Sequence, residues 1–197
     1  MTTRDGQATR QRIVAQAARL LNASGYLRTP VSEIMRATGM QKGGIYNHFE
    51  SRDALALEAF EYAVGLRREQ LRRAMEGKVG ARAKLVALLG AFREPPADNV
   101  MKGGCPIANL SVESDDADLA LRNAARRAMA GLIGMFERVI AEGMREGEFA
   151  KGDARRKASQ MVAALEGGLL LSNLYKDDGY LRNVADELEK QLEAGLR

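Results

Sequence analysis

The sequence is poor in the residue types that most often catalyse reactions or bind metals. Its 197 residues include one cysteine, Cys105, one histidine, His48, and no tryptophan. A lone cysteine cannot close an internal disulfide, and these two residues are too few to form a zinc site. A phosphate-binding glycine loop and paired histidines are also missing. We therefore predict a protein that is not an enzyme and that uses no metal or cofactor.

Long apolar runs are absent as well. No run of about 18 apolar residues is present to span a bilayer, and the N-terminal residues are polar and basic, unlike a secretory signal. These absences predict a soluble, cytoplasmic protein with no membrane partner. The sequence shows no strand pattern, no internal repeat and no low-complexity tract, so we expect an all-α fold.

Residues 29–49 predict two short helices joined by a tight turn. Thr29 is a suitable N-cap and Pro30 a suitable first helical residue, because proline has no N–H to lose there. Apolar residues then recur at helical spacing. Gly39 can take the left-handed conformation that ends a helix, so the first helix should end near Thr38.

The second helix should run from Lys42 to Phe49 after a short turn. Ile45 and Phe49 fall on one face and would anchor this helix inward. Glycine on the other face is a poor helix former but lets the backbone approach DNA closely. That outward face carries Lys42, Gly43, Tyr46 and Asn47. This layout is the plan of a helix-turn-helix, whose second helix reads the major groove.

The stretch from Gly39 to Leu55, G-M-Q-K-G-G-I-Y-N-H-F-E-S-R-D-A-L, resembles the signature of TetR-type (TetR/AcrR) transcriptional regulators. The likeness in sequence extends over residues 10–56. Beyond them, the chain resembles the family only in its general arrangement. Gln41 stands where the family often has a serine, which predicts a weaker cap for the second helix. Ser32 and Asn47 occupy positions that vary in the family, which makes them candidates for operator choice.

The resemblance implies a role for each DNA-binding candidate. Tyr46, His48 and Arg52 would contact phosphates and fix register, while Lys42 and Gly43 would lie closest to the base edges. For Tyr46 the alternative is a half-buried aromatic residue that braces the helix, and the two roles are compatible. The full set of candidates is Thr29, Ser32, Gln41, Lys42, Gly43, Tyr46, Asn47, His48 and Arg52.

Positive charge is concentrated in the same part of the chain. Residues 1–56 hold eight of the 30 lysines and arginines but only four of the 26 acidic residues. The rest of the chain has 22 of each sign, so the net charge of +4 arises entirely from the N-terminal part. This excess would attract phosphates, although chance scatter of solvated charges would produce the same count.

Helical periodicity and Gly or Pro punctuation predict about nine helices in two domains. Residues 1–50 would form a three-helix DNA-binding domain with the helix-turn-helix, beginning with a helix at 8–24. Residues 51–197 would form a helical regulatory domain for ligand binding and dimerisation. Its helices are expected at 51–76, 81–93, from 106, at 117–146, at 153–175 and in a final segment from 181 to 196.

The family resemblance implies an apolar pocket for a small-molecule effector between the middle helices. Methionines suit such a pocket because they adapt to several ligand shapes. The alternative for each candidate is plain core. The candidates are Phe92, Cys105, Ile107, Leu110, Met129, Leu132, Phe136, Met161 and Leu165.

Cys105 lies in the segment G-G-C-P-I-A-N-L-S-V-E, which also resembles one branch of the family. A thiol at a helix N-terminus, with Lys102 nearby, would have a lowered pKa and would suit a sensor of oxidants or electrophiles. A small, buried, unreactive cysteine is the alternative.

The last two helices carry more apolar surface than one core-facing stripe requires. Two copies of the chain would bury it in a four-helix bundle, and packing within one chain is the alternative. The interface candidates are Ala164, Gly168, Leu171, Leu181, Leu188 and Leu192.

Together these features predict a ligand-responsive transcriptional regulator, by family habit a repressor. It would bind a palindromic double-stranded DNA operator as a homodimer and be released by a small-molecule effector in the C-terminal domain. Repression rather than activation does not follow from the residues themselves. The alternative is a helical protein-binding adaptor without specific DNA binding, because an all-α amphipathic chain would look similar outside residues 29–49.

Overall fold

The computed structural model describes residues 4–94, 100, 103–113 and 119–196. Within these ranges the chain is helical, with no strand, which confirms the predicted all-α class. The helices are α1 (Arg4–Ser24), α2 (Val31–Thr38), α3 (Lys42–Tyr46), α4 (Arg52–Met75), α5 (Ala81–Arg93), α6 (Pro106–Glu113), α7 (Leu119–Glu146), α8 (Ala154–Tyr175) and α9 (Gly179–Glu193).

Several helix ends are set by the local signals that the sequence carries. The Asp153 carboxylate accepts the N–H of Arg156 at 2.9 Å and caps α8, as its residue type predicts. The Ser51 hydroxyl likewise accepts the N–H of Ala54 at 3.0 Å at the start of α4. The predicted start of α7, at residue 117, lies outside the described residues.

Two local predictions are wrong. Thr29 does not cap α2: Pro30 holds the N-cap position, and the Thr29 hydroxyl donates to the carbonyl of Gly25 at 2.7 Å. The second helix of the pair ends at Tyr46 instead of continuing to Phe49. Beyond Tyr46 the backbone forms a turn, in which the N–H of His48 donates to the carbonyl of Ile45 at 2.9 Å. Glycine has little helix propensity, so two glycines in this helix do not sustain it to Phe49.

The chain forms two compact units, and each is built from two separate segments. Unit 1 comprises the described residues of Met1–Leu66 and Ala97–Arg127, and unit 2 those of Arg67–Pro96 and Ala128–Arg197. These units do not coincide with a boundary after residue 50. The first half of α4 belongs to unit 1, where its Glu58 forms an ion pair with Arg10. The assignment of DNA-binding and regulatory roles to residues 1–50 and 51–197 stays a prediction.

Each unit has its own apolar core. In unit 1 the Tyr26 ring packs edge-on against Phe60 at 5.6 Å between centroids, and in unit 2 Phe92 packs in the same way on Phe136 at 6.2 Å. Helix α9 packs on both α5 and α8 in unit 2. Of the helices that the structure describes, none has the length and apolar character that crossing a membrane demands.

Candidate nucleic-acid interface

Helices α2 and α3 form the predicted helix-turn-helix within unit 1. Gly39 follows α2 with φ 68° and ψ 17°, the left-handed conformation predicted for this glycine. Its N–H donates to the carbonyl of Met35 and closes the last turn of α2. Ile34, Ile45 and Phe49 are buried and fix the two helices to the core of the unit.

The outward side of α3 is polar and open. Lys42, Gly43, Tyr46 and Asn47 are all exposed on it, together with Gln41 at its N-cap position. Ser32 is exposed in the first turn of α2, and His48 is half-buried just after α3. With Arg52, whose side chain is 20% exposed, eight of the nine DNA-binding candidates have at least part of their surface available to a partner.

Gly43 is not explained by the packing of the chain itself. Its backbone does not need a positive φ, and a Cβ added there would have no neighbouring atom within 4 Å. At Gly44, by contrast, a Cβ would come 2.9 Å from the Met40 methyl group. A glycine in open space at the start of a helix costs helix stability and gains nothing within the chain. The open space leaves the α3 backbone at Gly43 accessible to another molecule.

Two of the candidates, Thr29 and Arg52, bond to the backbone of unit 1 itself. Thr29 is only 3% exposed. Arg52 donates through Nε and Nη2 to the Thr29 carbonyl, at 3.2 and 3.0 Å, and through Nη2 also to the carbonyl of Tyr26. Its Nη1 donates to Asp53 at 2.9 Å. The Arg52 guanidinium thus bonds to the backbone that leads into α2, and the Thr29 hydroxyl bonds within the same stretch.

Sequence reasoning missed Glu113, which acts on the same piece of chain. Its Oε1 accepts the N–H of Tyr26 at 3.0 Å, and its Oε2 accepts the N–H of Leu27 at 2.8 Å. These residues are 86 and 87 positions apart from Glu113. No spacing rule within one helix or motif links them, so the sequence held no signal for the contact.

The ligand-pocket candidates divide between the two units. Unit 2 contains Phe92, Leu132, Phe136, Met161 and Leu165, which are buried, and Met129, which is half-buried. Unit 1 contains Cys105, Ile107 and Leu110, also buried. Cys105 forms no disulfide and is only 2% exposed, a position that gives a soluble oxidant little access to its sulfur. This burial fits the structural alternative for Cys105 better than the sensor.

Unit 2 has an open groove of about 600 Å³ between α4, α5 and α7. Met75, Met135 and Val139 contribute apolar surface, and Arg68 and Arg138 are exposed at its rim. Lys84 and Glu142 form an ion pair at 2.5 Å in the same groove. None of the ligand-pocket candidates lines it.

The interface candidates on α8 and α9 separate into buried and exposed residues. Gly168, Leu181, Leu188 and Leu192 are buried within the chain, where a partner would not reach them. Gly168 lies against α9, and a Cβ there would come 3.2 Å from the Leu181 Cα. Ala164 is half-buried and Leu171 exposed. The exposed apolar patch consists of Leu170, Leu171, Leu174, Tyr175 and Tyr180.

The two helices of the site and the helical remainder match known families. The family model described as bacterial regulatory proteins, tetR family, matches residues 13–59, and the one described as tetracyclin repressor-like, C-terminal domain, matches residues 81–188. A TetR transcriptional regulator from Chloroflexus aurantiacus J-10-FL has a similar structure, with a TM-score of 0.89 and 38% identity, and the match covers 97% of each chain.

Two curated relatives extend over nearly the whole length. An uncharacterised HTH-type transcriptional regulator of Mycobacterium tuberculosis (strain ATCC 25618 / H37Rv) is 29% identical, over 96% of this chain and 97% of its own. The HTH-type transcriptional regulator LmrA of Bacillus subtilis (strain 168) is 25% identical, over 90% of this chain and 93% of its own.

Proposed function

Because the chain belongs to the TetR family of DNA-binding transcriptional regulators, and not to an enzyme family, we propose that it is a dimeric repressor released from its operator by a small molecule. It would act in the cytoplasm, where the operator DNA lies. The observation that carries operator binding is the exposed side of α3, where Gly43 leaves the backbone open and Lys42 lies beside it.

The side chains around Gly43 supply two kinds of DNA contact. Lys42 brings a positive charge to the N-terminal end of α3, where recognition helices usually meet base edges. Tyr46, 38% exposed one turn later, has a hydroxyl that can donate to a phosphate. Gln41, Asn47 and His48 add further polar groups at the two ends of the helix. The excess of basic residues before residue 57 would draw the duplex toward this face.

A homodimer would use the apolar patch on α8 and α9. Leu170 and Leu174 are 54% and 67% exposed, and the stacked rings of Tyr175 and Tyr180 lie beside them, 5.2 Å apart. Contiguous apolar surface of this kind is characteristic of subunit interfaces. A two-fold dimer presents two copies of α3 to two half-sites, which explains why a palindromic operator is expected.

An effector would bind the C-terminal part and favour a dimer geometry that no longer fits the operator. The groove in unit 2, at about 600 Å³, is within the size range of small-molecule sites. The buried candidates of unit 2, which include the packed pair Phe92 and Phe136, stay the other candidate region, since a ligand can open an apolar core.

Operator binding is tested with duplexes that the protein enriches from a random-sequence pool, followed by fluorescence anisotropy at several salt concentrations. We expect the wild-type protein to bind an enriched duplex tightly in excess competitor, with affinity that falls as salt rises. The double variant Lys42→Ala with Tyr46→Ala should bind it at least about tenfold more weakly, since it loses a base contact and a phosphate contact.

The matched control removes the same two residue types elsewhere. Lys151→Ala with Tyr62→Ala takes away an exposed lysine and an exposed tyrosine outside α2 and α3, and it should bind as the wild type does. Equal loss in both double variants would mean that the protein only attracts phosphates nonspecifically. Failure of the wild type to enrich any sequence would favour the protein-binding adaptor instead.

A further inference from the structure

The linker of residues 25–30, which joins α1 to α2, is held by two side chains of opposite charge. The Glu113 carboxylate accepts the N–H groups of Tyr26 and Leu27, one on each oxygen. The Arg52 guanidinium donates to the carbonyls of Tyr26 and Thr29. An anion therefore binds donors of this short linker, and a cation binds acceptors of it.

Such contacts are stronger than the hydrogen bonds of an ordinary loop. The linker N–H and C=O groups that Glu113 and Arg52 bind have charged partners, and a charged partner forms a shorter and stronger bond than a neutral one. Glu113 binds two successive N–H groups at once, which fixes the orientation of the linker as well as its position. Helix α2 begins at Val31, directly after the linker. The position at which the helix-turn-helix starts is thus set by Glu113 and Arg52.

The segment that carries Glu113 is itself fastened to the end of α1. Asn22, which is buried, donates through Nδ2 to the carbonyls of Val100 and Gly104 at 2.8 and 2.9 Å. Asn109 donates back to the Asn22 carbonyl at 3.1 Å. A Cβ on Gly103 would lie 2.0 Å from that carbonyl oxygen, so only glycine allows this approach. Helix α6 is therefore placed in one register relative to α1, and Glu113 at its end reaches the linker.

We propose that Glu113 is a positioning residue for operator recognition, although it lies within the match to the C-terminal family model and far from α3 in sequence. It acts through the linker, whose geometry sets the orientation of α2 and α3. Reading base edges requires that orientation, whereas attraction to phosphates depends only on charge. Loss of the carboxylate should thus reduce specific binding far more than nonspecific binding. The inference rests on the proposed operator binding.

The test uses three variants of the full-length protein. Glu113→Gln keeps the size of the side chain but replaces one acceptor oxygen with an NH₂ group, which cannot accept an N–H. Glu113→Asp keeps the charge but is one methylene shorter, so it should partly rescue binding. Glu61→Gln is the control, because Glu61 is an exposed glutamate of the same unit, on α4.

Two measurements are made well below the unfolding temperature of every variant. The first is the ¹H–¹⁵N NMR spectrum with amide exchange, in which Glu113→Gln should shift the Tyr26 and Leu27 signals and speed their exchange about tenfold. The second is anisotropy with the duplex that the wild type enriches and with a scrambled duplex of equal length. Glu113→Gln should weaken binding of the enriched duplex about tenfold or more and leave the scrambled duplex within about twofold.

The outcomes distinguish failure of the positioning role from failure of the proposed operator binding. If Glu113→Gln moves the two amide signals but binds the enriched duplex as the wild type does, the positioning role is wrong while operator binding stands. An equal loss on both duplexes also overturns it, because a merely destabilised protein would lose both. If the wild type enriches no duplex at all, the proposed function fails, and the positioning role fails with it.

Discussion

At the scale of single residues, Tyr26 has an unusual environment. Its side chain is fully buried in unit 1, and its hydroxyl has no hydrogen-bond partner among the described residues. Burial raises the pKa of Tyr26 strongly, and the neighbouring Cys105 and Glu113 raise it further. A buried hydroxyl without a partner destabilises the folded state, because it loses its hydrogen bonds to water and gains none in the protein.

We expect Tyr26→Phe to leave stability at neutral pH unchanged or to raise it by about 1 kcal/mol, because only the unpaired hydroxyl is removed. The raised pKa adds a pH dependence. The tyrosine of the unfolded chain ionises near pH 10 while the folded one stays neutral, so wild-type stability is lost as the pH rises above about 10. Thermal unfolding between pH 8 and 11 should show a shallower decline for Tyr26→Phe than for the wild type and for the exposed control Tyr62→Phe. Parallel declines in the stability of the three proteins would refute the assignment of this pH dependence to Tyr26.

Residue roles were predictable only where they depend on local exposure. The outward position of Lys42, Tyr46 and Asn47 follows from helical spacing, and the structure has all three exposed. Arg52 has the same charge as Lys42 and belongs to the same motif, yet its guanidinium holds the linker. Its partners are carbonyls 23 and 26 positions away. Motif position does not reveal whether a donor is already engaged.

At the scale of helices, α5 begins with a cap supplied from a distant position. The Glu148 carboxylate accepts the N–H of Ala81 at 2.7 Å and of Arg82 at 3.0 Å. The N–H donors of Arg82 and Ala81 hold the pKa of Glu148 below its usual range. Gly80, the N-cap residue, has φ 82° and no side chain to do this itself. The first turn of α5 therefore depends on the segment between α7 and α8.

We expect Glu148→Ala to destabilise the protein by about 1 kcal/mol, a typical value for loss of a helix cap. Since the carboxyl pKa is lowered in the folded state, this stabilisation is present above the unfolded pKa, about 4.3, and is lost as the pH falls through the folded value. Urea unfolding at pH 7 and at acid pH measures both effects. Glu146→Ala is the control, because Glu146 is exposed and forms a surface ion pair with Arg145 at 3.5 Å. Identical unfolding midpoints for the two variants would contradict the capping role.

Helix boundaries were predictable where the signal is local. The predicted span of α5, residues 81–93, and the predicted cap of α8 at Asp153 agree with the structure, because glycine and capping residues lie at the boundary itself. The prediction that Thr29 caps α2 was wrong because α2 begins one residue later than expected, with Pro30 at the N-cap, and the Thr29 hydroxyl donates to the Gly25 carbonyl four residues earlier. The sequence contains both possibilities, and only the bend of the linker decides between them.

At the scale of the whole molecule, the proposed dimer would bury the exposed apolar residues of α8 and α9. Leu170→Glu with Leu174→Glu places two charges on surface that the dimer would bury, so we expect a monomer in light scattering and weak operator binding. Val79→Glu with Val112→Glu is the control, since both valines are exposed outside α8 and α9. A dimer mass for the Leu170 and Leu174 variant would exclude this patch as the interface.

The sequence indicated that α8 and α9 carry surplus apolar surface, but not which of their apolar residues stay exposed in the folded chain. Leu181, Leu188 and Leu192 form a regular stripe, and the packing of α9 within the chain buries that stripe. Leu174 and Tyr175 lie near the end of α8, outside the stripe, and are exposed. An apolar pattern predicts that a surface will be buried. Whether the same chain or another one buries it depends on the tertiary structure.

Unit 1 is built from two separate segments, so it cannot finish folding until both segments have been synthesised. Chains emerge from the ribosome with the N-terminus first, and domains fold as their residues become available. Helices α1 to α3 emerge early, but the linker cannot bind Glu113 until α6 has also emerged. A nascent or truncated chain that stops before α6 would carry all of α3 and still lack the Glu113 contact that we propose orients it. On that proposal, such incomplete chains would bind the proposed operator more weakly than finished ones.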